Sequence, residues 1–194
     1  MKTTFILHGG ETKIKNEQNK RFYQSWIESF DDDYIPTILL VYFAREVGQD
    51  ARRYKEDLTN FQTYNNNRKA NFMIADRDLN LFKQQTKDVD VIYFRGGSSD
   101  LLIKTMGPLK NELIDLIQGK VYVGSSAGVM LLSKYAHSHA SDLWKRGFEL
   151  FPWVSFVHWS EKFQDILDSF KKEHQNEDLE YILLPETEFV IKKL

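Results

Sequence analysis

Hydrophobic positions along the chain fall into short runs rich in β-branched and aromatic residues, with longer segments of helical periodicity between them. The runs predict seven strands, at residues 4–7, 37–42, 70–74, 89–94, 120–123, 154–157 and 181–184. Most of these runs are apolar almost throughout, which is typical of strands that helices cover on both faces. The pattern therefore predicts a parallel or mostly parallel sheet.

The segments between the runs predict helices at residues 15–30, 46–64, 79–87, 99–118, 127–135 and 160–174. Gly107 and Pro108 divide the fourth helix, because proline in a helix interior removes a backbone donor and clashes with the preceding turn. Strands that alternate with helices predict an α/β fold, a three-layer αβα sandwich. Neither an internal repeat nor a linker interrupts the chain, so we expect a single domain over residues 1–194.

Composition limits the partners of this domain. The 26 Lys+Arg against 28 Asp+Glu give a net charge of −2, so no nucleic-acid partner is expected. The longest apolar run, residues 38–44, is far shorter than the roughly 20 residues of a membrane-spanning helix, and the first residues lack a signal peptide. We expect a cytoplasmic protein without a membrane partner.

The chain contains no cysteine, which excludes disulfides, Cys-ligated zinc, iron–sulfur clusters and a thiolate nucleophile. His137 and His139 have the spacing of a metal-ligand pair, but the nearby sequence offers no third ligand in a suitable context. We expect no metal and no cofactor, so covalent chemistry would use another nucleophile.

Gly124-Ser125-Ser126-Ala127-Gly128 joins a predicted strand to an apolar predicted helix. A Gly-x-Ser-x-Gly turn in this context is typical of a nucleophile elbow, which projects its central serine from the end of the sheet. Ser126 is that serine, and the N-terminus of the following helix would favour an oxyanion beside it. The alternative is a turn of small residues that only packs a helix onto a sheet.

A second glycine turn, Gly96-Gly97-Ser98-Ser99, also follows a predicted strand and precedes a helix. The carboxyl ends of parallel strands share one crevice, so this turn is expected beside Ser126. The N–H groups of Gly97 and Ala127 would then form an oxyanion hole. The turn also fits a helix cap, whereas a phosphate cradle fits less well, because neither G-x-G-x-x-G nor a P-loop lysine is present.

A serine nucleophile needs a base. The chain has five histidines, His8, His137, His139, His158 and His174. His158 is the best candidate, because it follows a predicted strand that ends on the same face as the elbow. His8 follows the first strand and either lines the crevice or ends that strand, whereas His174 lies in a charged, solvated segment.

The base in turn needs a carboxylate that orients it. Glu186 follows Pro185 at the end of the last predicted strand, where proline stops the strand. Asp142 lies in the loop after the elbow helix and is the alternative acid. Neither carboxylate stands out by its local sequence alone.

Four segments together resemble peptidase family S51, the family of aspartyl dipeptidase (peptidase E) and cyanophycinase. They are Phe94-Arg-Gly-Gly-Ser-Ser99, Gly124-Ser-Ser-Ala-Gly128, Leu150-Phe-Pro152 followed by His158, and Leu184-Pro-Glu186. The resemblance implies Ser126 as nucleophile, His158 as general base and Glu186 as orienting acid. It also implies a fold similar to class I glutamine amidotransferases, with serine in place of their cysteine.

One feature departs from the dipeptidase. That enzyme selects aspartate with an arginine beyond its catalytic histidine, and residues 159–172 contain no arginine. Aspartyl specificity is therefore not implied.

The sequence thus predicts a serine-type peptidase that hydrolyses short peptides or related amides. Two alternatives stay open. A protein with the same fold could act only as a binding or scaffold protein, or the same triad could serve an esterase or amidohydrolase. The sequence also leaves a homo-oligomer open.

Overall fold

Two β-sheets flanked by helices organise the chain in the computed structural model, which describes residues 2–65, 68–139 and 141–194. The strands are β1 (Thr4–His8), β2 (Thr37–Val41), β3 (Asn71–Ile74), β4 (Val91–Phe94), β5 (Val121–Ser125), β6 (Ser133–Ser138), β7 (Leu143–Lys145), β8 (Phe151–Trp159), β9 (Glu180–Pro185) and β10 (Phe189–Lys193). One sheet has the order β10-β1-β5-β4-β2-β3 and the other the order β7-β6-β8-β9. Within each sheet a single pair, β1–β10 or β6–β7, is antiparallel and the other pairs are parallel.

Helices cover these sheets. They are α1 (Glu17–Ser25), α2 (Asp50–Tyr64), α3 (Leu79–Gln85), α4 (Ser99–Met106), α5 (Leu113–Ile117), α6 (Ala127–Leu132) and α7 (Gln164–Glu173), with short 3-10 turns at Thr86–Asp88, Gly107–Leu109 and Glu161–Phe163. The α/β fold with mostly parallel sheets flanked by helices is confirmed. The described helices are all too short or too polar to cross a membrane.

The core lies on both faces of the six-stranded sheet, because side chains alternate along each strand. On one face Ile6 and Tyr93 pack with Trp26 of the segment after α1 and with Phe61 of α2. On the other face Leu7, Phe94 and their neighbours pack against α3, α4, α5, α6 and the second sheet. This second apolar layer joins the two sheets.

The predicted helix at residues 127–135 is wrong in its last three residues. The helix ends at Leu132, and residues 133–138 form strand β6. The carbonyls of Leu131 and Leu132 accept hydrogen bonds from the N–H groups of Phe148 and Leu150, at 2.7 and 3.1 Å, so partners distant in sequence end the helix. Parallel pairing with β8 then holds the following residues extended.

The start of α1 also differs from the prediction, and a side-chain cap sets it. Helix α1 begins at Glu17 rather than at residue 15, because the side chain of Asn16 accepts a hydrogen bond from the Asn19 N–H at 2.8 Å. Gly107 and Pro108 lie in a 3-10 turn that separates α4 from α5, as predicted. Strands β7 and β10 were not predicted from their short or mixed polar patterns.

Candidate active site

Ser126 lies at the sharp turn between β5 and α6. Its backbone has φ +49° and ψ −103°, so the side chain projects beyond the end of the sheet. The flanking glycines allow this turn: a Cβ on Gly124 would lie 2.9 Å from the backbone of Gly128, and a Cβ on Gly128 would lie 2.5 Å from the Phe94 carbonyl oxygen. Side chains at either position would therefore force the strand and the helix apart.

The side chains of Ser126, His158 and Glu186 form a hydrogen-bonded chain. Ser126 Oγ is 2.9 Å from His158 Nε2, and His158 Nδ1 is 2.6 Å from Glu186 Oε1. A carboxylate only accepts hydrogen bonds, so Nδ1 carries the proton and donates to Glu186. Nε2 is then an acceptor for the Ser126 hydroxyl, which is the arrangement that a general base requires.

A bulge in β8 directs His158 toward Ser126. The pairing of β8 with β9 shifts register between Val157 and Trp159, and His158 has φ +56°. Bulges turn a side chain away from the regular alternation of a strand. The imidazole, 24% exposed, consequently leaves the sheet and faces the elbow.

The segment at residues 8–10 connects all three catalytic candidates. The His8 carbonyl accepts a hydrogen bond from the Ser126 N–H at 2.9 Å, and the Gly9 carbonyl accepts one from the His158 N–H at 3.2 Å. The Gly10 carbonyl accepts one from the N–H of Thr187, the residue after Glu186, at 3.2 Å. Three consecutive carbonyls thus fix the backbones on which the three side chains depend.

His8 itself lies beneath the site rather than in it. Its Nδ1 accepts a hydrogen bond from the Gly10 N–H at 3.1 Å, and its Nε2 lies 2.8 Å from the Asn19 side-chain oxygen. This pairing places the proton on Nε2 and leaves the ring neutral. Burial, opposed by the Asn19 hydrogen bond, lowers the pKa of His8 to about 4.

The other histidines and the alternative acid lie outside the hydrogen-bonded chain. His137 is buried and stacks on Phe156, with Asp142 Oδ1 3.3 Å from its Nε2. Asp142 is therefore close to His137, whereas Glu186 binds the imidazole of His158.

Two further histidines also lie outside the hydrogen-bonded chain. The ring of His139 is 6.1 Å from that of His158. His174 Nδ1 pairs with Glu177 at 2.7 Å.

The second glycine turn lies against Ser126. A Cβ on Gly96 would lie 3.1 Å from Ser126 Cβ. In the part of the chain that the structure describes, the Gly97 N–H donates no hydrogen bond. Ala127 is the first residue of α6, where a backbone N–H has no partner within the helix. Ser98 Oγ accepts from the Leu101 N–H at 3.2 Å, so the turn also caps α4.

Two cavities meet at Ser126 and His158. One, of about 290 Å³, is lined by Gly10 and the 96–97 turn and by basic side chains that no sequence motif identified, including Arg45 and Arg53. The other, of about 410 Å³, extends past Met130 to β6. A larger groove of about 910 Å³ between α1 and β10 contains none of the three catalytic candidates.

Within residues 2–65, 68–139 and 141–194, no group of three or more His, Asp or Glu side chains is arranged to hold a metal ion.

A model of peptidase family S51 matches residues 5–192 of the chain. No curated protein matches the chain. Among solved structures, a peptidase from an acI-B1 Actinobacterium is 23% identical with a TM-score of 0.63, over 99% of this chain and 84% of that one. A protein from Listeria monocytogenes EGD-e that is ascribed to peptidase E is 16% identical with a TM-score of 0.64, over 100% of both chains. At these identities, the structural likeness concerns the fold.

Proposed function

Because the chain belongs to peptidase family S51 and is a serine-type peptidase, we propose that Ser126, His158 and Glu186 hydrolyse short peptides or related amides. The observation that carries the proposal is the pair of hydrogen bonds from serine to histidine, at 2.9 Å, and from histidine to glutamate, at 2.6 Å. The strand–turn–helix context of Ser126 supports the same assignment.

In the first half of the reaction, His158 Nε2 takes the proton of the Ser126 hydroxyl as Oγ attacks the substrate carbonyl carbon. Glu186 holds the imidazole in the required tautomer and stabilises the imidazolium that forms. The N–H groups of Gly97 and Ala127 would donate hydrogen bonds to the oxyanion. In other enzymes, the loss of one such donor lowers kcat by about 10²–10³-fold. His158 then returns its proton to the leaving amine, and the C–N bond breaks.

In the second half, a water molecule replaces the amine. His158 takes one proton from this water as its oxygen attacks the acyl-enzyme carbonyl. The ester bond to Ser126 breaks, Oγ recovers its proton from His158, and the acid product leaves. No redox partner or metal enters this balance.

The distance between serine and histidine favours an enzyme over a binding or scaffold protein. A protein that kept the fold without the chemistry has no need to hold Ser126 Oγ within hydrogen-bond reach of His158 Nε2, yet the two lie 2.9 Å apart. An esterase would use the same side chains, so only a panel of peptide, amide and ester substrates separates the two hydrolases.

The nucleophile is tested by labelling with a serine-directed phosphonate. We expect the wild-type protein to gain one covalent adduct and Ser126→Ala to gain none, measured by intact-protein mass spectrometry. Ser125→Ala is the matched control, since it removes the neighbouring hydroxyl at the end of β5, and it should label like the wild type. Undiminished labelling of Ser126→Ala would remove Ser126 from this role.

A further inference from the structure

The cavity of about 290 Å³ beside Ser126 is basic. Four cationic side chains line it: Lys13, Arg45, Arg53 and Arg95. The cavity of about 410 Å³ on the other side of Ser126 has Lys145, whose ammonium is 2.8 Å from Asp100 and therefore neutralised. The two ends of the crevice differ in charge.

Three of the four cations already have carboxylate partners. The pairs are Arg95 with Asp57 at 3.0 Å and with Glu56 at 2.7 Å, Arg53 with Glu56 at 2.9 Å, and Lys13 with Glu11 at 3.5 Å. Among the described residues, no carboxylate oxygen lies within 4 Å of the Arg45 guanidinium. Arg45 is therefore the cation of this cavity that has no direct carboxylate partner among the described residues.

The fold fixes Arg45 close to the nucleophile. Its Nε donates to the Gly96 carbonyl at 3.1 Å, and Gly96 is the residue that packs against Ser126 Cβ. From behind, the Arg77 guanidinium donates to the Arg45 carbonyl at 3.1 Å and pairs with Asp50. These contacts position Arg45 before any ligand arrives and leave both of its Nη nitrogens for one.

The environment of Arg45 favours an anion. Partial burial, together with the nearby charges of Arg53 and Arg95, lowers the pKa of Arg45 from its usual value. A bound carboxylate would offset this repulsion, and the planar guanidinium matches a carboxylate with two parallel hydrogen bonds.

We propose that Arg45 binds the terminal carboxylate of a short peptide whose scissile carbonyl lies at Ser126. A short peptide with free ends has one positive and one negative end, so the basic cavity attracts the carboxylate end. The amino end then runs toward the cavity of about 410 Å³. This inference rests on the proposed peptidase function and adds a requirement for a free carboxyl terminus close to the cleaved bond.

The experiment measures how dipeptides protect Ser126 from an uncharged diaryl phosphonate. Pairs of dipeptides with varied N-terminal residues are compared as free acids and as C-terminal amides. In the wild type we expect the best free acid to halve the labelling rate at a concentration at least about tenfold lower than its amide. In Arg45→Gln this difference should disappear, because the free acid loses its ion pair with the guanidinium, whereas the amide loses little.

Arg52→Gln is the matched control. Arg52 precedes Arg53 on α2 and its side chain is 76% exposed to solvent, so this variant removes the same charge away from the cavity. It should keep the wild-type preference for the free acid. The labelling rate without peptide reports whether the 96–97 turn is intact in each variant, and Arg45→Lys should retain part of the preference because it keeps the charge.

Equal protection by acid and amide in the wild type would overturn the inference, as would an undiminished preference in Arg45→Gln. Protection by an Asp-Ala amide at the concentration that suffices for Ala-Ala would instead assign the cavity to an acidic side chain, and would also overturn it. Labelling of Ser126→Ala would refute the proposed function, a result distinct from each of these.

Discussion

Ser126, His158 and Thr187 have positive φ values of +49°, +56° and +63°, a region that residues with side chains rarely enter. Such conformations cost about 1–3 kcal/mol each and persist where the surrounding structure enforces them. Here the N–H of each residue donates to a carbonyl of the 8–10 segment. The strain is therefore held at the backbone positions that aim the side chains of the three catalytic candidates.

The neutral state of His8 has a consequence for stability. Its pKa is about 4 in the folded protein, lowered mainly by burial, against about 6.5 in the unfolded chain. The unfolded state therefore binds more protons between these values, so the stabilising contribution is complete above pH 6.5 and is lost as the pH falls toward 4. Between pH 7 and pH 5 the loss attributable to His8 is about 2 kcal/mol.

Urea unfolding at pH 7 and pH 5 measures this loss. The free energy of unfolding should fall by about 2 kcal/mol more in the wild type than in His8→Gln, which cannot titrate. Other groups contribute equally to both proteins and cancel in the comparison. An identical decrease in the two proteins would show that His8 takes up no extra proton on unfolding.

The residues of the candidate site differ in how well they can be predicted from the sequence. Ser126 stands in a local five-residue pattern whose chemistry is known, so the prediction could name it. Arg45 belongs to no pattern, since an arginine after a strand is usually a surface residue. Only the parallel pairing of β2 with β4 brings it beside the 96–97 turn, and such long-range pairing cannot be deduced from local sequence.

At the scale of the elements, the segment at residues 8–10 holds the backbones of the three catalytic candidates. A Cβ on Gly10 would lie 2.2 Å from His158 Cε1 and 2.6 Å from Nδ1. Gly10→Ala should displace the imidazole from Ser126 and Glu186 and slow phosphonate labelling at least about tenfold. The labelling rates of the wild type and Gly10→Ala, measured at one phosphonate concentration, give the size of this decrease.

Gly48→Ala separates the contact from backbone strain. Gly48 also has a positive φ, +93°, but a Cβ there would meet no atom within 4 Å. This variant should therefore lose some stability and label at the wild-type rate. If Gly10→Ala and Gly48→Ala label equally fast, the segment at residues 8–10 does not position the imidazole.

The elements that were predicted correctly are those with strong local patterns. The buried strands β2 and β4 lie within the predicted runs at residues 37–42 and 89–94. The first three residues of β6, 133–135, were predicted as the end of a helix, because the extended conformation comes from pairing with β8 rather than from the local sequence. The bulge at His158 likewise has no sequence signal, although its histidine was identified by position and by family resemblance.

At the scale of the whole molecule, the site forms where the two sheets meet. Ser126 follows β5 of the six-stranded sheet, whereas His158 lies near the carboxyl end of β8 and Glu186 follows β9 in the four-stranded sheet. The prediction described one sheet and a shared crevice. The crevice is present, but it requires the two sheets to dock, which depends on buried side chains distant in sequence. That the chain is a single domain stays a prediction.

The central claim is that Ser126 is the nucleophile of a peptidase acting on short peptides, and hydrolysis of a dipeptide panel with varied N-terminal residues tests it most directly. The account predicts that the wild type and Ser125→Ala release free amino acids from at least one dipeptide, and that Ser126→Ala lowers kcat/KM by about 10³-fold or more. Equal hydrolysis by Ser126→Ala and the wild type would contradict the account, as would a wild-type protein that cleaves none of the dipeptides.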